Sequence, residues 1–369
     1  MLNVTKSGLG VQHRVAVLAA LLCSLAVPAQ AGIIGNGATI VPAISAGSPS
    51  GVPPDSPGAR VDPNVPTSPY SGVVSVYVRS NGQDVICSGT LVNRRDIVTA
   101  GHCVDSNGNG TAVNPSAPGT IVQAVFNSSG AYTATINASS VLIHPDYQGF
   151  GVCPPGVNSQ CFNDDIAVIH LQEDAPASAR SYAIFGSEVS QGQVVRLAGY
   201  GASGDGVNGY QGMADFAVKR AGGNVMDLFE LDDEQDFAGG PQEVWYADFD
   251  GGGKDTFCEL FGVCTPVLAN NEETIISAGD TGGPAFIVRN GQYILAGNTS
   301  FFTESVPGIT DTPGTFGNYF GGVLTGAYVD FLREATNGNI TVVSVPEPGS
   351  VAVLLAGLGL MGVARRRRA

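Results

Sequence analysis

Gly279-Asp280-Thr281-Gly282-Gly283-Pro284 sets one hydroxyl-bearing residue inside a run of glycines. Glycine lets a main chain turn tightly and approach a bound molecule with no side chain in between. The backbone N–H groups of such a loop are suited to a developing oxyanion. Two partners for the hydroxyl lie upstream. Val98-Thr99-Ala100-Gly101-His102-Cys103 supplies a histidine, and Asn163-Asp164-Asp165-Ile166-Ala167-Val168 supplies carboxylates ahead of an apolar run. A Ser or Thr hydroxyl is a poor nucleophile until a base takes its proton during attack. His102 is the candidate base and Thr281 the candidate nucleophile, with an aspartate to orient the imidazole and stabilise its charged form. Gly279 and Thr281 are the candidate backbone donors to the oxyanion.

The order His102, Asp165, Thr281 and the motifs around these residues resemble the trypsin-like serine proteases. The resemblance spans about residues 70–337, specific at three short motifs and loose between them. Gly199-Tyr200-Gly201 is similar to the Gly-Trp-Gly segment that opens the family's second barrel, and residues 328–335 to its closing helix. The resemblance implies an all-β fold of two six-stranded antiparallel β-barrels with a short C-terminal helix, divided at about 70–185 and 190–337. The Asp-Ile-Ala-Val match selects Asp165 over Asp164, since strand alternation lets only one of them point inward. His144, in Ile143-His144-Pro145-Asp146-Tyr147, is a rival base, ranked below His102 because a His-Pro segment is common in the family as a structural turn.

The same resemblance places Ile275 at the base of the primary specificity pocket and Thr299-Ser300-Phe301-Phe302 along its wall, with Ser300 and Phe302 as lining residues. An apolar base offers Lys or Arg no partner, so small or medium apolar P1 side chains are expected. The family's cysteine four residues before the nucleophile is Ser277 here. In the family a freshly cut N-terminal ammonium pairs with the aspartate before the nucleophile, which implies that Asp280 supports the oxyanion loop. Arg60-Val61 has the spacing for such a cut; Ile33-Ile34-Gly35-Asn36-Gly37 lies too far ahead.

Thr281 stands where the family has serine. Its extra methyl restricts χ1 to fewer rotamers, and a misplacement of about 1 Å in attack geometry can cost about 100-fold in rate. Two readings follow. The first is an endopeptidase with a His-Asp-Thr triad and reduced activity. The second is a catalytically silent, protease-like binding or extracellular-matrix protein. Retention of His102, Asp165, Gly279 and Asp280 favours the first.

The ends of the chain carry addresses. Lys6 and Arg14, an apolar stretch at 15–27 and Ala29-Gln30-Ala31 form a secretory signal peptide over residues 1–31. Residues 32–69, rich in Pro, Gly, Ser and Ala, read as an extended leader or propeptide-like linker. After a linker at 338–344, Val345-Pro346-Glu347-Pro348-Gly349 precedes an apolar stretch at 351–364 and Arg365 to Arg368. A helix of that length spans about 21 Å, short of a hydrocarbon core of roughly 30 Å. Residues 345–369 resemble the PEP-CTERM sorting signal of Gram-negative bacteria, which implies an exosortase-type transpeptidase as a partner beside signal peptidase. Export, transient membrane anchoring and a final place on or outside the cell are expected.

Setting aside Lys6, Arg14 and the terminal arginines leaves 11 basic residues, and setting aside Glu347 leaves 31 acidic ones, a net charge of about −20. Such a surface argues against nucleic acid, whose backbone needs cationic partners. A peptide or protein substrate and a monomer are expected. Cys23 leaves with the signal, and six cysteines in an exported chain suggest disulfides. The resemblance implies a Cys87–Cys103 bridge pinning the histidine loop; proximity suggests Cys153–Cys161 and Cys258–Cys264. No CxxC pairing supports zinc. Asp105, Asn107 and Asn109 echo the start of a calcium loop, but the twelfth position is Ser116 and the bidentate glutamate is missing, so neither cofactor nor metal is expected.

Alternation predicts strands at 73–78, 85–92, 121–126, 132–136, 141–143 and 166–171 in the first half. In the second half it predicts strands at 193–200, 214–220, 243–249, 285–288, 293–299 and 320–324. Residues 202–211 and the acidic stretch 228–253 read as surface loops.

Overall fold

The computed structural model describes residues 44–157 and 159–344. The expected signal peptide, the start of the expected leader and residues 345–369 lie outside the described residues.

A short strand, β1 (Ile44–Ala46), precedes the first barrel. That barrel is built from β2 (Val73–Ser80), β3 (Gln83–Leu91), β4 (Asp96–Thr99), β5 (Ile121–Phe126), β6 (Ala134–Ile143) and β7 (Ala167–Leu171). It closes in the order β2-β3-β4-β7-β6-β5, every pair antiparallel. Inward residues such as Val76, Leu91, Ile97, Phe126, Ile136 and Ile169 fill it. The two strands expected at 132–136 and 141–143 are one. A register shift between Ala138 and Ser140 keeps Ile136 and Val141 inward while Ser139 and Ser140 stay exposed. The shift is a bulge, and it breaks the period-2 signal that sequence reading relies on. Strand β4 escaped that reading because it is four residues long and follows Arg94-Arg95.

The second half contains β8 (Ala183–Phe185), β9 (Gln193–Gly199), β10 (Ser203–Asp205), β11 (Gly209–Tyr210), β12 (Arg220–Met226), β13 (Leu228–Leu231) and β14 (Gln242–Asp248). Helix α1 (Thr256–Phe261) follows, then β15 (Pro284–Arg289), β16 (Gln292–Asn298), β17 (Phe301–Phe302), β18 (Tyr319–Val323), α2 (Val329–Ala335) and β19 (Val342–Val343). These strands do not close into a second six-stranded barrel. They form a six-stranded sheet, β12-β9-β15-β16-β8-β19, and a four-stranded sheet, β13-β14-β18-β17. At one seam a side chain replaces the ladder: Asn224 Nδ2 on β12 donates to Asp248 O and to Thr274 O, both at 2.8 Å. At the other seam a single bridge joins Gly297 and Leu324. The sheets are also not wholly antiparallel, since β8 pairs in parallel with β16 and β19.

Three expectations change here. The strand expected at 214–220 lies at Arg220–Met226 instead. Gly222 and Gly223 interrupt its alternating pattern, and a Cβ on Gly222 would overlap Thr274 and the Arg60 guanidinium. The two expected surface loops hold β10 and β11 in one case, and β13 and β14 in the other. The described part of the leader is a packed segment: β1 pairs in parallel with β10, and Ser45 N donates to Ile275 O at 3.0 Å.

Arg60 ties that leader down. It is buried, its Nε donates to Asp55 Oδ2 at 2.8 Å, and its other nitrogens donate to Glu272 O at 2.9 Å and Glu273 O at 2.8 Å. Removing one partner of a buried ion pair leaves the other charge uncompensated, which costs about 3–5 kcal/mol. Arg60→Met is therefore expected to lower the unfolding free energy of the leader-containing chain by about that amount. Urea unfolding measures the loss, and limited proteolysis should cut first within residues 44–62.

The halves share a core in which Val73, Val98, Ile166 and Val168 meet Tyr200, Phe286, Leu295 and Leu332. Tyr200 is fully buried and its hydroxyl donates to Val73 O at 3.2 Å. Burying a ring of this size contributes strongly to the seam, and its polar tip is satisfied there. The three motifs meet on the rim of this seam.

Candidate active site

His102 opens a short 3-10 turn, His102–Val104, directly after β4. Cys103 in that turn is bonded to Cys87 on β3, so a disulfide holds the histidine loop against the barrel wall. Cys153–Cys161 and Cys258–Cys264 are the other two bridges.

Asp165 sits just before β7 and is 1 % exposed. Its Oδ2 lies 2.7 Å from His102 Nδ1, and its Oδ1 accepts the His102 backbone N–H, also at 2.7 Å. Ser300 Oγ donates to the same Oδ2. Three donors thus fix this carboxylate, which in turn fixes the imidazole and leaves Nε2 free to work. The backbone of Asp165 is held as well: Asn298 Nδ2 donates to Asp165 O at 3.1 Å and to Thr99 O at 3.2 Å, stitching β16 to the first barrel.

Asp164 faces elsewhere. It adopts a left-handed backbone, φ 61°, and its N–H donates to the Tyr328 hydroxyl oxygen at 2.8 Å. Its Oδ1 lies 2.9 Å from His144 Nδ1. His144 is enclosed by the rings of Tyr328 at 5.0 Å and Phe331 at 5.1 Å. The two adjacent aspartates therefore serve two histidines, and of these only His102 lies beside Thr281.

Thr281 is 7 % exposed and borders the disulfide. Its Oγ1 lies 3.4 Å from Cys87 Sγ and 3.7 Å from Cys103 Sγ. Cys103 Sγ is also 3.7 Å from His102 Nε2. Among the described residues no hydrogen bond joins Thr281 Oγ1 to His102 Nε2; the hydroxyl rests on sulfur instead. Both sulfurs are oxidised, so Thr281 is the donor, and this is a weak bond. The main chain around it is firmly placed. Thr281 O accepts from Ser88 N at 2.9 Å and Gly279 O from Ser88 Oγ at 2.6 Å. Gly279 and Gly282 take φ of 89° and 82°, and a Cβ at Gly282 would overlap Thr99 and Ser88. The N–H groups of Gly279 and Thr281 donate to no other group among the described residues, as oxyanion donors must.

Asp280 is 1 % exposed. Its Oδ1 accepts Gly201 N–H at 2.8 Å, and Oδ2 has no hydrogen-bond partner among the described residues. Burial pushes its carboxyl up to about 7, against the downward pull of hydrogen bonds from Ser277 and Gly201 and of the Arg220 charge. Gly199 and Gly201 are required beside it, because a Cβ at either would overlap its carboxylate.

Of the residues assigned to the specificity pocket, Ile275 is fully buried beneath β1, Ser300 spends its hydroxyl on Asp165, and Phe302 is 4 % exposed on β17. An aromatic row flanks the histidine. Phe150 lies 4.8 Å from the His102 ring, Phe162 5.3 Å from Phe150, and Phe301 stacks on Phe162 at 4.2 Å. Phe150 and Phe162, which the sequence reading missed, sit in loops with no periodic signal, whereas Phe301 lies on β17 in the stretch already assigned to the pocket wall. Asp105 spends its carboxylate on the N–H groups of Asn109 at 3.2 Å and Gly110 at 2.8 Å, and Asn107 Oδ1 accepts from Asn81.

A closed antiparallel barrel bearing a histidine–carboxylate pair, faced by a glycine loop with free amides, has the layout of a serine-type peptidase. Residues 63–214 match the family model Trypsin, and residues 344–368 match the PEP-CTERM protein-sorting motif. The trypsin match includes His102 and Asp165 and ends before the Thr281 loop. No curated protein matches the chain.

Proposed function

We propose that this protein is an exported endopeptidase that cleaves peptide bonds through His102, Asp165 and Thr281, with small or medium apolar P1 residues preferred. The supporting observation is the His102–Asp165 contact at 2.7 Å beside a glycine loop whose Gly279 and Thr281 amides are uncommitted. In this reading Thr281 Oγ1 attacks the scissile carbonyl carbon as its proton passes to His102 Nε2. The carbonyl oxygen becomes an oxyanion held by the two amides. His102 then delivers the proton to the leaving amine, freeing the new N-terminus and leaving an ester on Thr281. Water, activated by the same nitrogen, hydrolyses that ester. Asp165 orients the imidazole and stabilises the imidazolium.

Ile275 and Phe302, both buried, carry no charge to receive Lys or Arg, which supports an apolar P1 preference. Casein and a peptide panel varied at P1 test the proposal. Turnover is expected with Ala or Val at P1, below one-tenth of that rate with Lys, and none in Thr281→Ala. A Lys-selective profile would overturn the specificity, and equal turnover in Thr281→Ala would overturn the mechanism.

The second reading, a protease-like binding or matrix protein without turnover, draws on one observation: the Thr281 hydroxyl contacts sulfur and not the imidazole. Absence of any cleavage by the sorted protein, with retained peptide binding, would favour it. Residues 1–31 are proposed as a signal peptide and 32–69 as a leader removed or displaced on activation. The body would work as a monomer, on or outside the cell.

A further inference from the structure

The connection from β14 to α1 gathers acids in a place the peptidase reading does not use. Ligand-type oxygens of Asp248, Asp250 and Asp255 lie within 4.8 Å of one another. Two ligand oxygens bound to one calcium ion at about 2.4 Å can be at most about that far apart. Behind them stand Asp227 and Glu273, 2 % and 1 % exposed. Asp250 Oδ1 and Glu273 Oε1 are buried with no hydrogen-bond partner among the described residues. No Lys, Arg or His nitrogen of the described residues lies within ion-pair distance of any of these five carboxylates. The neighbouring Lys254 turns its ammonium to Phe316 O at 3.1 Å.

Buried carboxylates left unpaired are costly, and a cation is the usual remedy. From the geometry of this cluster we infer a calcium site formed by Asp248, Asp250 and Asp255, with Asp227 and Glu273 as a second layer of charge. An all-oxygen donor set selects a hard cation over zinc. Several carboxylates on a flexible glycine turn suit calcium better than magnesium, which keeps most of its water and demands octahedral geometry. Gly251, Gly252 and Gly253 all take positive φ, wrapping the chain around the acids. Counted from Asp248, acids fall at the first and third positions, glycine at the sixth and Glu259 at the twelfth, the spacing of a twelve-residue calcium loop. Here Glu259 is exposed, and Asp255 takes the third place in the cluster. The ion would pin β14 to α1, whose far end is already fixed by Cys258–Cys264. Through β18, the same sheet carries the Phe301–Phe302 strand.

The exported protein, stripped with EDTA, is titrated with calcium or magnesium chloride while thermal unfolding and bound metal are measured. One calcium per chain is expected, with Kd on the order of 10⁻⁴ M and Tm raised by about 5–10 °C at a hundredfold excess over Kd. Magnesium should do little. Asp250→Asn should lose both the stoichiometric ion and the shift. Should that variant fail to fold, Asp255→Asn, which keeps the helix cap, reads the same loss. No stoichiometric calcium in the native chain, or unchanged binding in either variant, would overturn the site. The result does not depend on whether Thr281 turns over substrate.

Discussion

Thr281→Ser raises kcat/KM by about 100-fold, while His102→Ala in the same background lowers it by about 10⁴-fold. A base and its nucleophile must come within about 2.6–3.2 Å for proton transfer. In this chain His102 Nε2 and Thr281 Oγ1 each lie 3.7 Å from Cys103 Sγ without a bond between them. Rotation about χ1 is the motion that would bring the oxygen to the imidazole. For threonine that rotation also moves a methyl through a site lined by the disulfide and by the Ser88 and Gly279 main chain, and β-branching makes it costly. Serine carries a hydrogen in place of the methyl and turns freely. The gain should appear in kcat with little change in KM, since the change alters attack and not binding. An unchanged or lower kcat in Thr281→Ser would show that the threonine rotamer is not what limits this site. The rise should vanish in the Thr281→Ser, His102→Ala double variant, because base and nucleophile act as a unit.

The His102–Asp165 contact and the glycine loop beside them were legible in the sequence because their motifs are local. Each motif is six residues long, and glycines around a hydroxyl or a histidine beside a cysteine have few other uses. Pairing Cys87 with Cys103 and choosing Asp165 over Asp164 needed only the resemblance; both aspartates precede β7, and a left-handed turn at Asp164, not strand alternation, accompanies their separation. Legibility failed where long-range packing overrides a short pattern. Thr274 and Arg60 press against strand β12 at Gly222, and Arg196 does so at Gly223, and glycine erases the alternation that would have marked the strand. The leader looked like a linker because Pro and Gly dominate it, yet Ile44 and Ala46 are buried beside β10 and Arg60 reaches the Glu272 and Glu273 carbonyls. One seam between the two sheets of the second half is bridged by Asn224, one amide whose role no periodicity reveals. Acids at 248–255 read as solvated surface, because sequence cannot tell which of many aspartates are withdrawn from water.

Asp280→Asn is expected to flatten the dependence of stability on pH. The carboxyl of Asp280 is raised from its ordinary value near 4 to about 7, chiefly by burial. A group raised in this way contributes stability that is complete below its unfolded pKa and is lost as pH rises through the folded one. Between pH 4 and pH 8 the native chain should therefore lose about 4 kcal/mol on account of this one residue. The groups facing it define that cost. Gly201 N–H and Ser277 Oγ favour the ionised form, and Arg220, itself depressed by burial and shared with Asp215, supplies the positive charge. Tyr210, buried with its hydroxyl unpartnered, brings no charge of its own, and its other acidic neighbour is Glu304. Other buried acids, such as Glu243 raised to about 8 mainly by burial, titrate alike in both proteins and cancel in the difference. Urea unfolding from pH 4.5 to 8.5, at about half-unit steps, gives the two curves. They should diverge through about pH 7, with the asparagine protein the more stable one on the alkaline side. Parallel curves would mean that Asp280 is ionised across the range and that Arg220 neutralises it. Should the divergence appear, a cation delivered to Oδ2 above pH 7 would recover the same free energy, and a new N-terminal ammonium from cleavage at Arg60-Val61 has the chemistry to do so.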